Sequence, residues 1–224
     1  MGNSPSALPP LTPKPNNVKL LYFNLAAKGE PTRLMLSIGK VNFEDKRVPF
    51  EEWPQLKSST PFGQLPVLEV DGTTIAQAGA IERYAAKLAH LYPSDPLSAA
   101  KVDQVVCFVD EFLPLFAPTM GITDPEAKAN AQREATEKLK PKLAKLNEMV
   151  EKAGNGYLAG SKLTYADIAA FCYVCFLLSG MFAGATMSVL DSYPALSNYR
   201  KKIASLPEVK AYYEKQSDRD TFKP

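Results

Sequence analysis

The side chains that most often carry enzyme chemistry are scarce in this sequence. It contains one histidine, His90, and three cysteines. A Ser-His-Asp hydrolase would need His90 as its base, but His90 lies near the end of a predicted helix, where an imidazole more often complements the helix dipole. These counts argue against a His-rich metal site, a disulfide scaffold and most hydrolytic mechanisms, and we expect no metal cofactor.

Two of the cysteines form the motif Cys172-Tyr173-Val174-Cys175. A redox-active CxxC pair is stabilised as a thiolate at a helix N-terminus, whereas this pair lies inside the most apolar segment of the chain. A zinc site would need four ligands, and the sequence does not supply them. The pattern therefore favours two buried structural thiols.

The size of the chain is intermediate between one domain and two. It has 224 residues and a mass of 24.5 kDa, with 46% hydrophobic and 22% charged residues, which is typical of soluble globular proteins. Its net charge of +2 gives no sign of a nucleic-acid-binding surface. Residues 1–17 contain five prolines and predict a disordered tail. Gly2 fits the N-myristoylation pattern, although so short a pattern often matches by chance.

One internal segment is long enough to span a bilayer, because residues 168–190 carry no charge. Thr164 and Asp167 form a variant of the capping box and place a helix start just before this segment. Gly180 and Gly184 then interrupt the apolar pattern after about three turns. The sequence therefore predicts a buried core helix followed by a loop, and no membrane span.

The elements that must position any site fall into two groups. Residues 18–92 alternate between strand and helix periodicity, whereas the chain from 98 to 224 is helical throughout. The first group, in order, is a strand at 19–23, a helix opening at Gly29-Glu30-Pro31, a strand at 43–48, a hairpin at 65–75 turning at Asp71-Gly72, and a helix to about 88. The second comprises helices over 102–116, over 126–152 with an interruption at Pro141, and from Tyr165, Pro194 and Pro207. The sequence thus predicts a βαβ-ββα domain followed by an all-α domain.

Several motifs resemble those of cytosolic glutathione transferases and occur in the same order. They are Tyr22-Phe23 at a strand end, Gly29-Glu30, Pro61-Phe62-Gly63-Gln64-Leu65-Pro66, the segment 77–84, the segment 157–167, and Pro194-Ala195-Leu196. The resemblance covers roughly residues 18–220 and is strongest to the sigma class, which includes prostaglandin D synthases and S-crystallins. It implies a thioredoxin-like glutathione-binding domain over 18–92 and a helical domain over 98–224 with a hydrophobic substrate site.

The resemblance implies that glutathione is the co-substrate and that Tyr22 is catalytic. A free thiol has a pKa of roughly 8.5, and a hydroxyl that donates to the sulfur favours the thiolate. The alternative is that Tyr22 is only a core aromatic. In this family the bond before Pro66 is cis, which leaves the backbone of Leu65 free to pair with the cysteine of glutathione. Alternatively, Pro66 begins an edge strand.

The other glutathione-binding positions of the family are matched in this sequence, with one exception. Family members use a Gln-Ser pair at a helix N-terminus to bind the γ-glutamyl carboxylate, but here Gln77 is followed by Ala78, which lacks the hydroxyl. Asp110 corresponds to an acid that meets the ammonium of glutathione across a dimer. The remaining implied glutathione contacts are Lys28, Trp53, Lys57 and Gln64. The implied electrophile pocket comprises Phe23, Leu25, Leu113, Phe116, Ala117 and Tyr173.

Two classes of function follow from this resemblance. The first is a glutathione transferase whose thiolate attacks small hydrophobic electrophiles, as in detoxification. An isomerase or peroxidase acting on lipid-derived substrates would use the same glutathione-binding and thiol-activating residues. The second is a non-catalytic structural or ligand-binding protein, which Ala78 favours. Joint retention of Tyr22, Trp53, Lys57, Gln64 and Gln77 favours an enzyme, and the resemblance also implies a cytoplasmic homodimer.

Overall fold

The computed structural model describes residues 14–154 and 156–215. Gly2 and most of the predicted tail lie outside these residues. The last four residues of that tail contact the folded domain. The backbone N–H groups of Asn16 and Asn17 donate to the carboxylate of Asp71, and the ammonium of Lys14 donates to the carbonyl of Gly39 at 2.8 Å. These bonds tie residues 14–17 to the turn of the hairpin and to the end of the first helix.

Four strands form one mixed sheet in the order β2-β1-β3-β4. They are β1 (Val18–Phe23), β2 (Glu44–Val48), β3 (Val67–Val70) and β4 (Thr73–Ala76). β1 pairs in parallel with β2 and antiparallel with β3, and β3 pairs antiparallel with β4. Because β3 is an interior strand, Pro66 does not begin an edge strand, and the Leu65–Pro66 bond is cis. The β3–β4 turn is Asp71-Gly72, where both residues have positive φ as a type I′ turn requires.

Three helices complete the N-terminal half. They are α1 (Glu30–Ile38), α2 (Trp53–Leu56) and α3 (Ala78–Leu88). α1 supplies the crossover that a parallel β1–β2 pair needs, and it packs against α3. The predicted order βαβ then ββα is confirmed. The short helix α2 was not predicted, because four residues are too few to show helical periodicity.

Five helices form the C-terminal half. They are α4 (Pro96–Asp110), α5 (Pro125–Ala153), α6 (Tyr165–Leu177), α7 (Pro194–Ala204) and α8 (Pro207–Glu214). All 13 residues of α6 are buried, and its capping box between Thr164 and Asp167 is present as predicted. α6 packs against α4, α7 and both α1 and α3, so that one core joins the two halves. Among the described helices, none has the length and apolar character needed to cross a membrane.

The structure corrects two predicted helix boundaries. The predicted helix over 102–116 is wrong at both ends, because α4 begins at Pro96 and ends at Asp110, after which the chain forms short 3-10 turns. Pro114 is consistent with the early end, since it has no N–H to donate to the carbonyl of Asp110 four residues earlier. The predicted interruption at Pro141 is also wrong, since α5 continues through it. An interior proline costs about 3 kcal/mol, and here Leu139 and Leu143 bury the same face on either side.

Candidate functional site

A cleft of about 510 Å³ opens where the first helical turn of α3 faces the end of α4. All eight residues that the resemblance implies for glutathione line this cleft: Lys28, Trp53, Lys57, Gln64, Leu65, Gln77, Ala78 and Asp110. These residues are separated by up to 82 positions in the chain. The fold therefore brings the implied contacts together on one surface, together with Phe23, Phe62 and Pro66.

One wall of the cleft is the N-terminus of α3. Gln77 precedes it in a positive-φ conformation, and its side-chain amide donates to Gln64 at 3.2 Å. Ala78 and Gly79, the first residues of α3, line the cleft. The N-terminus of a helix carries backbone N–H groups without intrahelical partners and a partial positive charge, and so it suits a carboxylate.

Lys28 and Asp110 form an ion pair across the opening of the cleft. The Lys28 ammonium donates to a carboxylate oxygen of Asp110 at 2.5 Å, and both side chains are partly exposed. The resemblance implies that Asp110 meets glutathione on a partner subunit, whereas here it lines the cleft of its own chain. Because exposed ion pairs contribute little to stability, a ligand ammonium can exchange with Lys28 at low cost.

Tyr22, near the end of β1, does not itself line the cleft; it is buried, with 6% of its surface exposed, next to Phe23 and Lys28, which do. Its hydroxyl oxygen accepts the backbone N–H of Lys28 at 3.2 Å. Burial, as the largest influence, raises the pKa of Tyr22 to about 12, although the Lys28 hydrogen bond and the Arg33 charge oppose this rise. The phenol is therefore neutral at neutral pH, and its proton is available for donation.

Gly29 and Arg33 hold the ring of Tyr22 in place. A Cβ atom on Gly29 would lie only 2.4 Å from Cδ1 of Tyr22, so no larger residue fits there. The buried guanidinium of Arg33 lies 5.6 Å from the centre of the Tyr22 ring. Arg33 also donates to Asp45 at 3.0 Å and to the carbonyl of Leu25 at 2.8 Å. Sequence reasoning missed Arg33; the only available sign was a charged residue beside Leu34 and Met35 on an apolar helix.

The predicted electrophile pocket does not form one surface. Phe23 alone of its six residues lines the cleft, where it stacks on Phe50 and meets the ring edge of Trp53. Phe116 is buried against Phe182, because the chain leaves the helical path after Asp110. Tyr173 is buried in α6 and donates to Glu82 at 3.2 Å. Leu25 and Leu113 are partly buried, and Ala117 is exposed in a 3-10 turn.

The two cysteines of the CxxC motif are buried in α6, as predicted for structural thiols. Burial raises the pKa of Cys175 to about 12, so a thiolate is disfavoured. Within residues 14–154 and 156–215, no group of three or more His, Cys, Asp or Glu side chains is placed to hold a metal ion.

The sequence matches two family models that together cover most of the chain. Residues 18–87 match "Glutathione S-transferase, N-terminal domain", and residues 111–216 match "Glutathione S-transferase, C-terminal domain". A relative from Caenorhabditis elegans, "Probable glutathione S-transferase 7", is 34% identical over 200 residues, which are 88% of this chain and 95% of the relative. The chain belongs to the glutathione S-transferase family.

Solved structures of the family share this fold. The prostaglandin synthase D of Nilaparvata lugens has a TM-score of 0.79 and 34% identity, over 89% of this chain and 98% of that one. A glutathione S-transferase of the hookworm Necator americanus, described as monomeric, has a TM-score of 0.74 and 31% identity, over 89% and 97%. These matches confirm the sigma-like resemblance and the predicted thioredoxin-like plus all-helical fold.

Proposed function

We propose that this protein conjugates glutathione to small hydrophobic electrophiles and that the Tyr22 hydroxyl activates the thiol. The observation that carries the proposal is the convergence of all eight implied glutathione contacts on one cleft, one of which, Lys28, is hydrogen-bonded to the Tyr22 hydroxyl. The tripeptide would place its cysteine against the backbone of Leu65 and its γ-glutamyl carboxylate at the N-terminus of α3. Trp53 and Lys57 would meet its glycyl end.

The proposed activation is a hydrogen bond from Tyr22 to the sulfur. Because Lys28 N–H already occupies one acceptor position of the hydroxyl, the phenolic proton is free to donate towards the cleft. A donor to the thiolate lowers the pKa of the thiol and raises the thiolate fraction at neutral pH. The electrophile would bind beside Phe23, and Leu25, Leu113 and Ala117 stay candidate contacts. Phe116 and Tyr173 would contact it only if the core around them opened.

The first experiment measures glutathione binding by calorimetry and conjugation of a generic aryl halide by absorbance. We expect a dissociation constant of millimolar or tighter and measurable turnover. The absence of binding at several millimolar glutathione would contradict the proposal and favour a non-catalytic role. Because the Nilaparvata lugens relative is a prostaglandin synthase D, a lipid endoperoxide and a lipid hydroperoxide should be assayed in parallel.

Replacing Ala78 by serine should tighten glutathione binding. The added hydroxyl would stand at the first position of α3, where it can donate to the γ-glutamyl carboxylate. A hydrogen bond to a charged group contributes about 1.5–3 kcal/mol, which corresponds to about 10- to 150-fold in affinity. Calorimetry of the Ala78→Ser variant measures this gain.

The matched control is Ala80→Ser, since Ala80 lies in the same helical turn but is exposed and outside the cleft lining. It should leave affinity within about twofold, because a surface substitution changes little. If the Ala78→Ser and Ala80→Ser variants bind glutathione equally, the carboxylate does not bind at the N-terminus of α3.

We also propose that two copies associate as a homodimer. Phe62 lies at the edge of the cleft with 64% of its surface exposed, and a second copy would bury it. Light scattering should give twice the 24.5 kDa chain mass. A mass of one chain would instead match the hookworm relative that is described as monomeric. Cytoplasmic localisation stays a prediction.

A further inference from the structure

A buried acid, Glu82, lies behind the glutathione cleft and has no part in the site described above. It occupies α3 one turn after Ala78, and 1% of its surface is exposed. Its carboxylate accepts hydrogen bonds from the hydroxyls of Tyr165 and Tyr173, both in α6. In the part of the chain that the structure describes, no ion pair involves Glu82. A buried carboxylate held only by hydroxyls is costly when it is charged.

The charge of Glu82 is coupled to the cleft in both directions. Burial is the main reason that the pKa of Glu82 rises to about 7. The hydrogen bond from Tyr165 and the charge of Lys28 lower this pKa, and the charge of Asp110 raises it further. Conversely, the charge of Glu82 raises the pKa of Tyr22, although burial of Tyr22 is the larger cause. Glu82 therefore titrates in the neutral range and influences the proposed catalytic hydroxyl through space.

We propose that Glu82 is a positioning residue of the glutathione site: it fixes α3 against α6, and its negative charge sets how readily the bound thiol ionises. This inference rests on the proposed function. The proposed effect is electrostatic and involves no covalent step. The proton that leaves the thiol and the proton that leaves Glu82 are each taken up by solvent water. A negative charge behind the cleft disfavours a second negative charge on the sulfur.

The sign of the effect follows from the raised pKa of Glu82. Below about pH 7 the carboxyl is neutral and does not oppose a thiolate, whereas above about pH 7 it is charged and does. As the pH rises, Glu82 therefore ionises in the same pH range as the bound thiol. The thiol then ionises over a wider pH range, and its apparent pKa is higher.

The elements packed against α3 carry several other charged and titratable groups. On α1, Glu30 and Arg33 pair with each other, and on β3, Glu69 pairs with Lys19. The groups that influence Glu82, or that it influences, are Tyr165, Tyr173 and Cys172 on α6, Asp110 at the end of α4, Lys28 in the turn before α1, and Tyr22 on β1. Asp110 and Lys28 form an ion pair with each other.

The test compares Glu82→Gln with Glu69→Gln. Glutamine keeps the shape of the side chain but removes the charge, and Glu69 is an exposed carboxylate of the same domain outside the cleft. Thiolate absorbance in the ultraviolet, followed against pH with glutathione bound, measures the pKa of the thiol. We expect Glu82→Gln to lower it by about half to one pH unit and Glu69→Gln to leave it unchanged. Carbon NMR of the unliganded protein should also show Glu82 titrating near neutral pH.

A second variant keeps the inference testable if Glu82→Gln does not fold. Tyr165→Phe removes a hydrogen bond to the charged form of Glu82, so it should raise the pKa of Glu82. At neutral pH less charge then opposes the thiolate, and the thiol pKa should fall as in Glu82→Gln, but by less.

Three outcomes would overturn the inference. Equal thiol pKa values in the wild type and in both variants, with glutathione bound in all three, would overturn it while leaving the proposed function standing. NMR titration of Glu82 together with the exposed glutamates would do the same without any ligand. A wild-type protein that binds no glutathione would overturn the proposed function and this inference with it.

Discussion

Replacing Tyr22 by phenylalanine is expected to lower kcat/KM for aryl halide conjugation by about 10- to 150-fold at neutral pH. The substitution removes only the hydroxyl, whose hydrogen bond to the charged sulfur contributes about 1.5–3 kcal/mol to the thiolate. The binding constant for glutathione should change by less than about threefold, since the other contacts of the cleft are retained. Steady-state kinetics together with calorimetry separate the two quantities.

The pH dependence of conjugation by the Tyr22→Phe variant tests the proposed hydrogen bond to the sulfur more directly. Without the Tyr22 donor the pKa of the bound thiol should return towards the free value of roughly 8.5. The variant should therefore regain activity relative to the wild type as the pH approaches that value. Tyr84→Phe is a matched control, because Tyr84 is a partly buried tyrosine of α3, whereas the Tyr22 hydroxyl accepts the N–H of Lys28 in the cleft lining. A Tyr22→Phe variant as active as Tyr84→Phe would show that Tyr22 is only a core aromatic.

Replacing Arg33 by methionine is expected to give the largest loss of stability. Arg33 is fully buried and satisfies Asp45, Glu30 and the carbonyl oxygens of Phe23 and Leu25. Methionine retains much of the length but removes the cation that pairs with the buried carboxylate of Glu30 and one of the two guanidinium groups that pair with Asp45. Breaking a buried ion pair by removing one partner costs about 3–5 kcal/mol. Urea unfolding followed by circular dichroism measures the change in the free energy of unfolding.

Arg47→Met is the control for this substitution. Arg47 donates to the other carboxylate oxygen of Asp45 at 2.8 Å, but its side chain is partly exposed. Solvent can replace much of its interaction, so we expect a loss of about 1 kcal/mol or less. Equal losses in the two variants would mean that the burial of Arg33 does not govern its contribution to the free energy of unfolding.

Since Arg33 also lies against the ring of Tyr22, any folded Arg33→Met protein should conjugate glutathione more slowly.

Local features of this chain could be read directly from the sequence. The turn at Asp71-Gly72, the capping box of Thr164 and Asp167, and the part of α6 after Asp167, which carries no charge, each depend on residues within a few positions of one another. Turn chemistry, capping and periodicity act over such distances. The residues that line the cleft were also predicted, but through resemblance to a family rather than through spacing.

The sequence was misleading where a distant contact outweighed a local preference. Pro141 predicted a break in α5, yet the buried residues on either side keep the helix continuous. Phe116 was expected in the electrophile pocket, yet it packs inward against Phe182, 66 positions later in the chain. In both cases apolar burial, which depends on the whole fold, decided the outcome.

The sequence by itself determined the order of strands and helices and, through the family resemblance, predicted the glutathione contacts that we propose. Only the tertiary structure decided which charges are buried. Arg33 and Glu82 look like ordinary charged residues of amphipathic helices until their partners are known, and Glu82 lies 83 and 91 positions from the two tyrosines that hold it. The pKa of a buried group depends on desolvation and on neighbours that are distant in the chain. For this reason the buried charges of Arg33 and Glu82 could be recognised only from the tertiary structure, in which residues from both halves of the chain are in contact.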